Sequence, residues 1–452
     1  MSDWKKVKID FKTIKLGDYI EPIKTTVAEM ELKNPVVYGV TNKEGIVQTG
    51  KPASKDISNY IVLEENCFAF NPYRVNVGSI GINENNLKGC VSPAYVVFKT
   101  KNGLLPNFLF FYLKSDYGIH LINWYGNRGG VRNALRYSDL CNIDIPDIRN
   151  INQEILLNKF SLVSENINQI RQEIEQQKSY TKKLRQNILQ DAIEGRLTEE
   201  WRKNNPVIKG NPDFDAEALF EKIQEEKRHT DSELLRNSKK KEKALPEITE
   251  DEKPFEIPEG WKWVRLGEIV NSITDGDHLP PPKQATGIPF VVISDISSGV
   301  INFKGDRFVS EDYFTKLPLE KIPLQNDILY TVTGSYGIPV FVTDFQFCVQ
   351  RHIGIIKPKL YLKDFIYYCL KSPVCKKQAD FVAWGVAVKT VPIKELRKFI
   401  IPLPPLAEQT EIVRVVESQL AKVDQLEKQI TERETLTKQL MQSIMKDAFG
   451  EE

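Results

Sequence analysis

Residues 145–192 read IPDIRNINQEILLNKFSLVSENINQIRQEIEQQKSYTKKLRQNILQDA, and residues 401–448 read IPLPPLAEQTEIVRVVESQLAKVDQLEKQITERETLTKQLMQSIMKDA. The two stretches align at a constant offset of 256 without gaps, and twelve of the 48 aligned pairs are identical. Average residue usage would give roughly three identities by chance. The sequences that precede the two copies differ from each other. The chain is therefore a tandem in which a module of variable sequence is followed twice by a segment of similar sequence.

The repeated segment has the apolar spacing of a coiled-coil helix, alternating between three and four residues. The predicted seam comprises Phe160, Val163, Ile167, Ile170, Ile174, Leu184 and Ile188 in the first copy, and Val416, Val423, Leu426, Ile430, Leu440 and Ile444 in the second. Both copies interrupt the seam at the same place, with Gln177 and Thr181 and with Arg433 and Thr437. A polar layer fixes register and partner, and we expect the two helices to pair with each other in antiparallel orientation. About 45 helical residues reach on the order of 65–70 Å.

The repeat divides the chain into modules at 1–148 and 257–402, helices at 149–195 and 403–449, and a connector at 196–256. In each module, β-branched and aromatic runs broken by Gly, Pro and Asn predict short strands, and a helix follows them. The predicted strands lie within 60–70, 75–82, 90–99, 326–342 and 348–357, and the helices at 107–116 and 364–373. The expected fold class is α+β. Two similar α+β domains are separated by a long antiparallel two-helix coiled coil in a pseudo-twofold tandem repeat.

The connector is expected to be mostly irregular. Residues 201–212 resemble a loop, Asp215 is placed to cap a short helix at 216–229, and the polar stretch 238–260 is predicted to be mobile. The run SKKKEK at 238–243 fits either a solvated linker or a patch that binds nucleic acid.

Composition is typical of a soluble globular protein, with 41% hydrophobic and 27% charged residues. No apolar run has the length of a signal peptide or a membrane span, so a cytoplasmic location is expected. The six cysteines include no Cys-x-x-Cys pair, which favours reduced core thiols over a zinc site or a disulfide.

Basic charge is concentrated late in each module. Residues 71–136 contain eight basic and two acidic residues, and residues 345–398 contain eleven and three. Two such basic subregions are what two phosphate-facing surfaces would require, although a solvated mixed surface gives the same counts.

No catalytic motif is present: the chain lacks a Walker A loop, a Gly-x-Gly-x-x-Gly turn, a His-Glu-x-x-His helix and a Gly-x-Ser-x-Gly elbow. Asn71-Pro72-Tyr73 is similar to the base-holding loop of adenine methyltransferases, but it lacks a proline and reads better as a turn at a strand edge. Asp275-Gly276-Asp277-His278 has metal-ligand spacing, yet a glycine-centred loop explains it more simply. We therefore expect no catalytic, cofactor-binding or metal site in this chain.

Polar side chains beside flexible backbone in the two basic subregions are the candidates for DNA contact. Arg suits guanine edges and phosphates, whereas Asn and Gln suit adenine. The candidates are Tyr73, Arg74, Asn76, Ser79, Asn127, Arg128, Arg132, Asn133 and Arg136 in the first module, and Thr331, Thr333, Ser335, Tyr336, Gln350, Arg351, His352 and Lys389 in the second.

The chain as a whole resembles the specificity subunits of type I restriction-modification systems. Residues 36–50 and 56–81 resemble a first target-recognition domain, residues 260–283 resemble the opening of a second, and IPLPPLAEQTEIV at 401–413 resembles the start of the family's helical region. The connector motif GRLTEEWRKNNP at 195–206 and the stretch around residues 238–268 also match the family's central connector. The Pro-Pro-Leu-x-Glu-Gln motif is present at 404–409, but the first copy lacks both prolines, so its helix entry is expected to differ.

The resemblance implies a non-catalytic subunit that reads a split, asymmetric DNA site with one domain for each half. It also implies two methyltransferase subunits, restriction-translocase subunits that join them, and S-adenosylmethionine, ATP and Mg²⁺ bound in those partners. Two other hypotheses are a stand-alone adenine methyltransferase or nuclease, and a coiled-coil scaffold. The missing cofactor loop argues against the enzyme, and a scaffold would bind no duplex even with methyltransferase subunits present.

Overall fold

The structure is a computed structural model that describes residues 12–49, 56–126, 134–234, 244–277, 281–386 and 388–449. The chain forms two compact units. The first unit comprises residues 1–174 and 432–452, and the second comprises residues 175–431.

The described residues of the first unit form ten short strands and three α-helices, followed by the start of a long helix. The strands are β1 (Thr13–Lys15), β2 (Ile20–Pro22), β3 (Val36–Thr41), β4 (Gly45–Gln48), β5 (Ile61–Val62), β6 (Phe68–Phe70), β7 (Ile80–Ile82), β8 (Gly89–Val91), β9 (Val96–Thr100) and β10 (Asp144–Pro146). The helices are α1 (Pro106–Lys114), α2 (Asp116–Gly126), α3 (Tyr137–Leu140) and α4 (Gln153–Ile193), the last of which continues into the second unit.

The second unit contains the connector and the second module. Its strands are β11 (Lys262–Arg265), β12 (Val270–Asp275), β13 (Ile288–Val291), β14 (Phe308–Val309), β15 (Ile328–Thr331), β16 (Pro339–Phe341), β17 (Cys348–Val349), β18 (Ile353–Pro358) and β19 (Ile400–Leu403). Its helices are α5 (Glu199–Asn204), α6 (Ala216–Leu234), α7 (Leu266–Ile269), α8 (Ile293–Ile296), α9 (Glu311–Thr315), α10 (Lys363–Lys371), α11 (Pro373–Val382), α12 (Ile393–Leu396) and α13 (Leu406–Phe449). Helix α13 ends in the first unit.

Among the described residues the two modules share most of their strand topology, although the second sheet has four strands in the first unit and three in the second. The order of one four-stranded sheet is β2-β9-β6-β7 in the first unit and β12-β18-β15-β16 in the second. A second sheet contains a parallel pair in both units, β3 with β8 and β13 with β17, and an antiparallel pair (β1 with β10, β11 with β19) joins the start of each module to its end. The predicted α+β plan is therefore confirmed for both modules.

The central strand of each module is buried on both faces, which explains its continuous apolar sequence. In β6, Phe68 and Phe70 point into one core, whereas Ala69 points into another. In β15, Ile328 and Tyr330 likewise belong to one core and Leu329 to a second. Side chains alternate along a strand, so each central strand divides two apolar layers and fixes the turn that follows it.

A serine between two helices is repeated in the two units and accounts for the shared sequence Leu-Lys-Ser. Ser115 Oγ donates to the Tyr112 carbonyl (2.6 Å) and accepts from the Gly118 amide (3.0 Å). Ser372 Oγ donates to the Cys369 carbonyl (2.6 Å) and accepts from the Cys375 amide (3.4 Å). The hydroxyl thus satisfies the end of one helix and caps the next.

The long helices are present, and the seam side chains that the structure describes differ from the prediction at three positions; the side chains of Phe160 and Ile444 lie outside the described part. Ile167, Ile174, Val423 and Ile430 are buried, and so are the predicted polar layers Thr181 and Thr437. Leu184, Leu426 and Leu440 were predicted in the seam but are exposed. Next to the exposed Leu184, the Arg185 side chain faces the other helix, because its guanidinium pairs with the carboxylates of Asp424 and Glu427 (2.8 Å to Glu427).

The helical segments pair within each unit. In the first unit Arg433 contacts Glu173 at 2.8 Å. In the second unit Arg185 contacts Glu427. Thr198 follows Arg185 in the chain, and its partner Glu408 precedes Glu427. The chain directions are therefore opposite in the second unit, as predicted.

The connector is more ordered than predicted. Residues 199–204 form α5 instead of a loop, and α6 extends beyond residue 229, with Asp215 Oδ1 accepting from the Glu217 amide as expected. The buried Arg265 donates to the carbonyls of Pro246 and Glu247 and to the Glu252 carboxylate, which holds the segment predicted to be mobile. The basic run at 238–243 lies outside the described residues.

The two helix entries differ, as expected. In the first copy a 3-10 turn at Ile148–Asn150 precedes α4. In the second, Pro404 and Pro405 lead directly from β19 into α13. There the buried Glu408 accepts from Trp261 Nε1 at 2.8 Å and Thr198 Oγ1 at 2.6 Å, and it pairs with Arg202.

All six cysteines are free thiols, and burial raises the pKa of Cys67, Cys348 and Cys375 to about 12, so these groups are inert core residues. Among the described residues, no helix is both long and apolar enough to cross a bilayer.

Candidate nucleic-acid interface

In the second unit, the turn between β15 and β16 presents the predicted polar residues. Gly334 and Gly337 adopt positive φ values of 70° and 92°, which a tight turn requires at these positions. Thr333 is half-buried and Ser335 is exposed. Thr331 is completely buried and its Oγ1 accepts from the Ile338 amide. Its side chain therefore cannot reach DNA as predicted.

The loop that follows α11 lies beside this turn. Trp384 and Thr390 exchange two backbone hydrogen bonds (3.1 and 2.9 Å), which close the loop at its base. The Gly334 amide donates to the Lys389 carbonyl at 2.9 Å, and the Thr333 and Thr390 hydroxyls are 3.2 Å apart. Turn and loop therefore form one surface, to which Lys389 contributes an exposed ammonium group.

A third segment, residues 350–352, completes this surface. His352 Nδ1 lies 3.0 Å from Thr333 Oγ1, and the Val332 amide donates to the His352 carbonyl at 3.1 Å. Burial and the neighbouring Arg351 lower the pKa of His352, so the imidazole is neutral at neutral pH. A neutral imidazole can donate or accept a hydrogen bond, and Arg351 beside it is exposed. Gln350 is half-buried, and its backbone amide donates to the Val291 carbonyl.

Tyr336 is held at the side of the turn. Its hydroxyl donates to Asp380 Oδ1 at 2.8 Å, and the Lys376 ammonium lies 4.0 Å from the ring centroid. Lys376 also bonds to Asp380 at 2.8 Å and, with Tyr336, lowers the pKa of that carboxyl group. Tyr336 therefore supports the surface, and the negative charge of Asp380 is compensated.

The first unit builds the corresponding surface from different residues. Asn71 Oδ1 accepts from the Tyr73 amide at 2.9 Å, which confirms a turn at the edge of β6. Tyr73 and Arg74 are exposed, and the Asn76 carbonyl accepts from Asn123 Nδ2 at 3.4 Å. Ser79 is buried and, like Thr331, is removed from the candidate set.

One hydrogen bond joins turn and loop at the same place in both units. The Leu135 amide donates to the Pro72 carbonyl at 3.1 Å, and the Val391 amide donates to the Val332 carbonyl at 2.8 Å. Asn127, Arg128, Arg132 and Asn133 of the first loop lie outside the described residues. Arg136 is exposed at the start of α3, where its amide donates to Asp139.

The Asp275-Gly276-Asp277 stretch is held by internal contacts. Tyr313 donates its hydroxyl to Asp277 Oδ2 at 3.0 Å, and Lys321 lies 3.6 Å from Oδ1. His278 is outside the described residues, and the described part of the chain contains no group of three or more His, Cys, Asp or Glu arranged to hold a metal ion.

Exposed apolar side chains, which the sequence analysis does not predict, lie in the same region. Phe381, Trp384, Val386 and Val388 are all exposed in the second unit, and so is Trp124 in the first. Only polar residues were predicted to contact DNA. A signal was nevertheless present, because Trp124 and Phe381 each follow the repeated Ser115 or Ser372 by nine residues.

Comparison with known proteins shows which proteins this chain is similar to. Residues 258–434 match the profile of the type I restriction modification DNA specificity domain. The chain is 28% identical over 303 residues to the EcoBI specificity subunit of a type I restriction enzyme from Escherichia coli, covering 66% of this chain and 56% of that relative. It is 24% identical over 452 residues to the EcoDI specificity subunit from the same organism, covering 98% of this chain and 89% of that relative.

The fold has also been seen before. A chain from a study of complex assembly and conformational transition of the type I R-M system superposes with a TM-score of 0.63 at 19% identity, covering 98% of this chain and 99% of that one. The likeness in fold extends over the whole chain, whereas the sequence alignment with the EcoBI subunit spans little more than half of that relative. Over residues 258–434 the chain matches the type I DNA specificity domain, and along its length it is similar to type I restriction enzyme specificity subunits.

Proposed function

We propose that this chain is the non-catalytic specificity subunit of a type I restriction-modification complex. It reads a split, asymmetric DNA site, with one unit for each half, and directs adenine methylation and restriction by partner subunits. S-adenosylmethionine, ATP and Mg²⁺ bind in those partners. The observation that carries the proposal is the turn after the central strand, which is supported by the same sheet order and the same hydrogen bond in both units but presents different exposed side chains.

The chemistry of the surface in the second unit suits a duplex. Arg351 and Lys389 are exposed cations, and Thr333, Ser335 and His352 offer hydrogen-bonding groups beside them. Arginine and lysine position a protein on phosphates, whereas side chains that reach a groove distinguish base pairs. Binding should weaken steeply as salt increases, because each neutralised phosphate releases counterions.

The long helices carry a feature that suits two copies of one partner. Tyr180 and Leu184 are exposed on α4, one helical turn apart, and Leu436 and Leu440 are exposed at the same register on α13. Apolar pairs spaced four residues apart share one helix face, and exposed apolar faces favour protein contacts. Two equivalent faces fit two methyltransferase subunits, with restriction-translocase subunits joining the complex through them.

The test is adenine methylation sequencing of cells with and without this gene. We expect a bipartite motif with a fixed gap that is methylated only when the gene is present. Methylation that persists without the gene would contradict the proposal. Purified chain that bound S-adenosylmethionine by itself would instead support a stand-alone methyltransferase.

A further inference from the structure

The loop that closes the surface of the second unit carries an exposed apolar tip, which we define as Trp384, Val386 and Val388. The Trp384 side chain is 70% exposed, Val388 is 55% exposed, and Val386 has no protein cover. Phe381 at the end of α11 is 91% exposed. All four side chains are exposed over more than half of their surface, so the fold gains little from their apolar character.

Contacts of the described residues hold the base of the tip in place. Two hydrogen bonds between Trp384 and Thr390 close its base, and the Gly334 amide and Thr333 hydroxyl attach that base to the neighbouring turn. Gly385 has a φ of +132°, and a Cβ atom there would collide with the Val388 carbonyl oxygen. A preorganised loop loses little conformational entropy on binding, which favours a role in recognition.

The surroundings of the tip favour a polyanion over a protein. Lys389 lies within the loop, Lys377 lies one helical turn before Phe381, and Arg351 lies beside the His352–Thr333 contact; all three are exposed. Protein interfaces are depleted in lysine, whereas DNA-binding surfaces are rich in it. An apolar group framed by cations is the combination with which proteins insert side chains between base pairs.

The first unit shows the same feature at the equivalent place. Trp124 is 61% exposed in the last turn of α2, nine residues after Ser115, as Phe381 follows Ser372 by nine residues at the end of α11. Two modules with different turns have therefore both kept a large exposed aromatic residue at this point.

We propose that the apolar tip enters the DNA duplex and stacks Trp384 against a base pair, opening one base step within the half-site read by the second unit. Insertion makes sequence recognition depend on how easily that step unstacks, as well as on hydrogen bonds to base edges. The proposal rests on the DNA recognition proposed above and deepens it.

The test uses the full chain with its methyltransferase subunits and a duplex carrying the methylated motif found by sequencing. 2-Aminopurine is placed in turn at positions of the half-site other than the methylated adenine. We expect a fluorescence increase at one step with the unaltered protein and its loss with W384A/V386S. We also expect affinity to fall about tenfold, as for the loss of one base–aromatic stack, with an unchanged dependence on salt.

Two variants serve as controls. Leu360→Ala removes another exposed apolar side chain of the same unit and should change neither affinity nor fluorescence. Lys389→Ala should keep the fluorescence increase but reduce the slope of log affinity against log salt by about one. All of these residues are exposed, so thermal unfolding should be unchanged.

The outcomes separate the two proposals. A complex that prefers no duplex sequence would refute the proposed function itself. Site-selective binding with W384A/V386S indistinguishable from the Leu360→Ala control would refute insertion alone. Loss of methyltransferase subunits from W384A/V386S in native mass spectrometry, with its DNA signals intact, would assign the tip to a protein contact and overturn the inference.

Discussion

In the first unit the turn after the central strand presents Tyr73 and Arg74, whereas in the second it presents Thr333 and Ser335 beside His352. Beneath these turns the strand order, the capping serine and the hydrogen bond from turn to loop are the same. The comparison shows that the scaffold and the recognition surface are separable. Buried positions hold the turn in place, so its exposed residues can change without affecting the core.

The largest effect is expected from changing the length of α4. Four added residues lengthen a helix by roughly 6 Å, close to two base-pair steps, and rotate its far end by about a turn. Two added residues rotate it by about 200° and break the seam. If the helices set the distance between the half-sites, a four-residue insertion within 160–188 should retain both half-sites with a longer gap, whereas a two-residue insertion should abolish methylation.

Methylation sequencing of each variant measures this. Changed bases in a half-site with an unchanged gap would show that the helices do not set the spacing.

The two helix entries differ most at equivalent positions 408 and 152. Glu408 is buried with Trp261, Thr198 and Arg202, whereas Asn152 is exposed and caps α4 through the Ile155 amide. Glu408→Ala removes the carboxylate from the partly buried Arg202 and the acceptor from the buried Trp261 and Thr198 donors, so it should lower the free energy of unfolding by about 3 kcal/mol. Asn152→Ala should cost about 1 kcal/mol.

Urea unfolding measures both variants. Hydrogen exchange should locate the loss in Glu408→Ala at α5 and the first turns of α13. Equal unfolding midpoints for the two variants would show that the Glu408 cluster adds no more than a cap.

The exposed apolar pairs on the two helices offer a matched comparison of partner binding. Leu184→Asp and Leu440→Asp each place a charge on one apolar face without altering a buried residue. We expect each variant to bind one methyltransferase subunit and the double variant to bind none, as measured by native mass spectrometry. Two subunits retained in both single variants would exclude these faces as the docking sites.

Changes to the two recognition surfaces should weaken binding to the two half-sites independently. Arg74→Ala and Arg351→Ala each remove one exposed cation, from the first and the second unit respectively. An arginine that contacts DNA contributes about 1–3 kcal/mol, so each change should weaken binding to one half-site about tenfold or more. Competition with duplexes altered in one half measures the effect, and equal relaxation of both halves would contradict the assignment of one unit to each half.

Much of the fold could be read from the sequence because apolar spacing reports burial directly. The seam positions Ile167, Ile174 and Ile430 and the polar layers Thr181 and Thr437 were predicted and are buried. Leu184 was misplaced because a heptad pattern does not specify which of two adjacent residues turns inward when the helix repeats every 3.6 residues. Arg185 faces the other helix because it pairs with the carboxylates of Asp424 and Glu427, which lie more than 200 positions away in the chain.

The sequence by itself determined the tandem repeat, the helical pair, the α+β modules and the similarity to type I specificity subunits. These follow from local periodicity and from resemblance of the chain to its own second half and to a known family. Only the tertiary structure decided that Thr331 and Ser79 are buried, and that Thr333, His352 and Lys389 lie on one surface beside an apolar tip. The reason is physical: exposure depends on neighbours distant in sequence, and the same threonine is a core or a surface residue according to what packs over it.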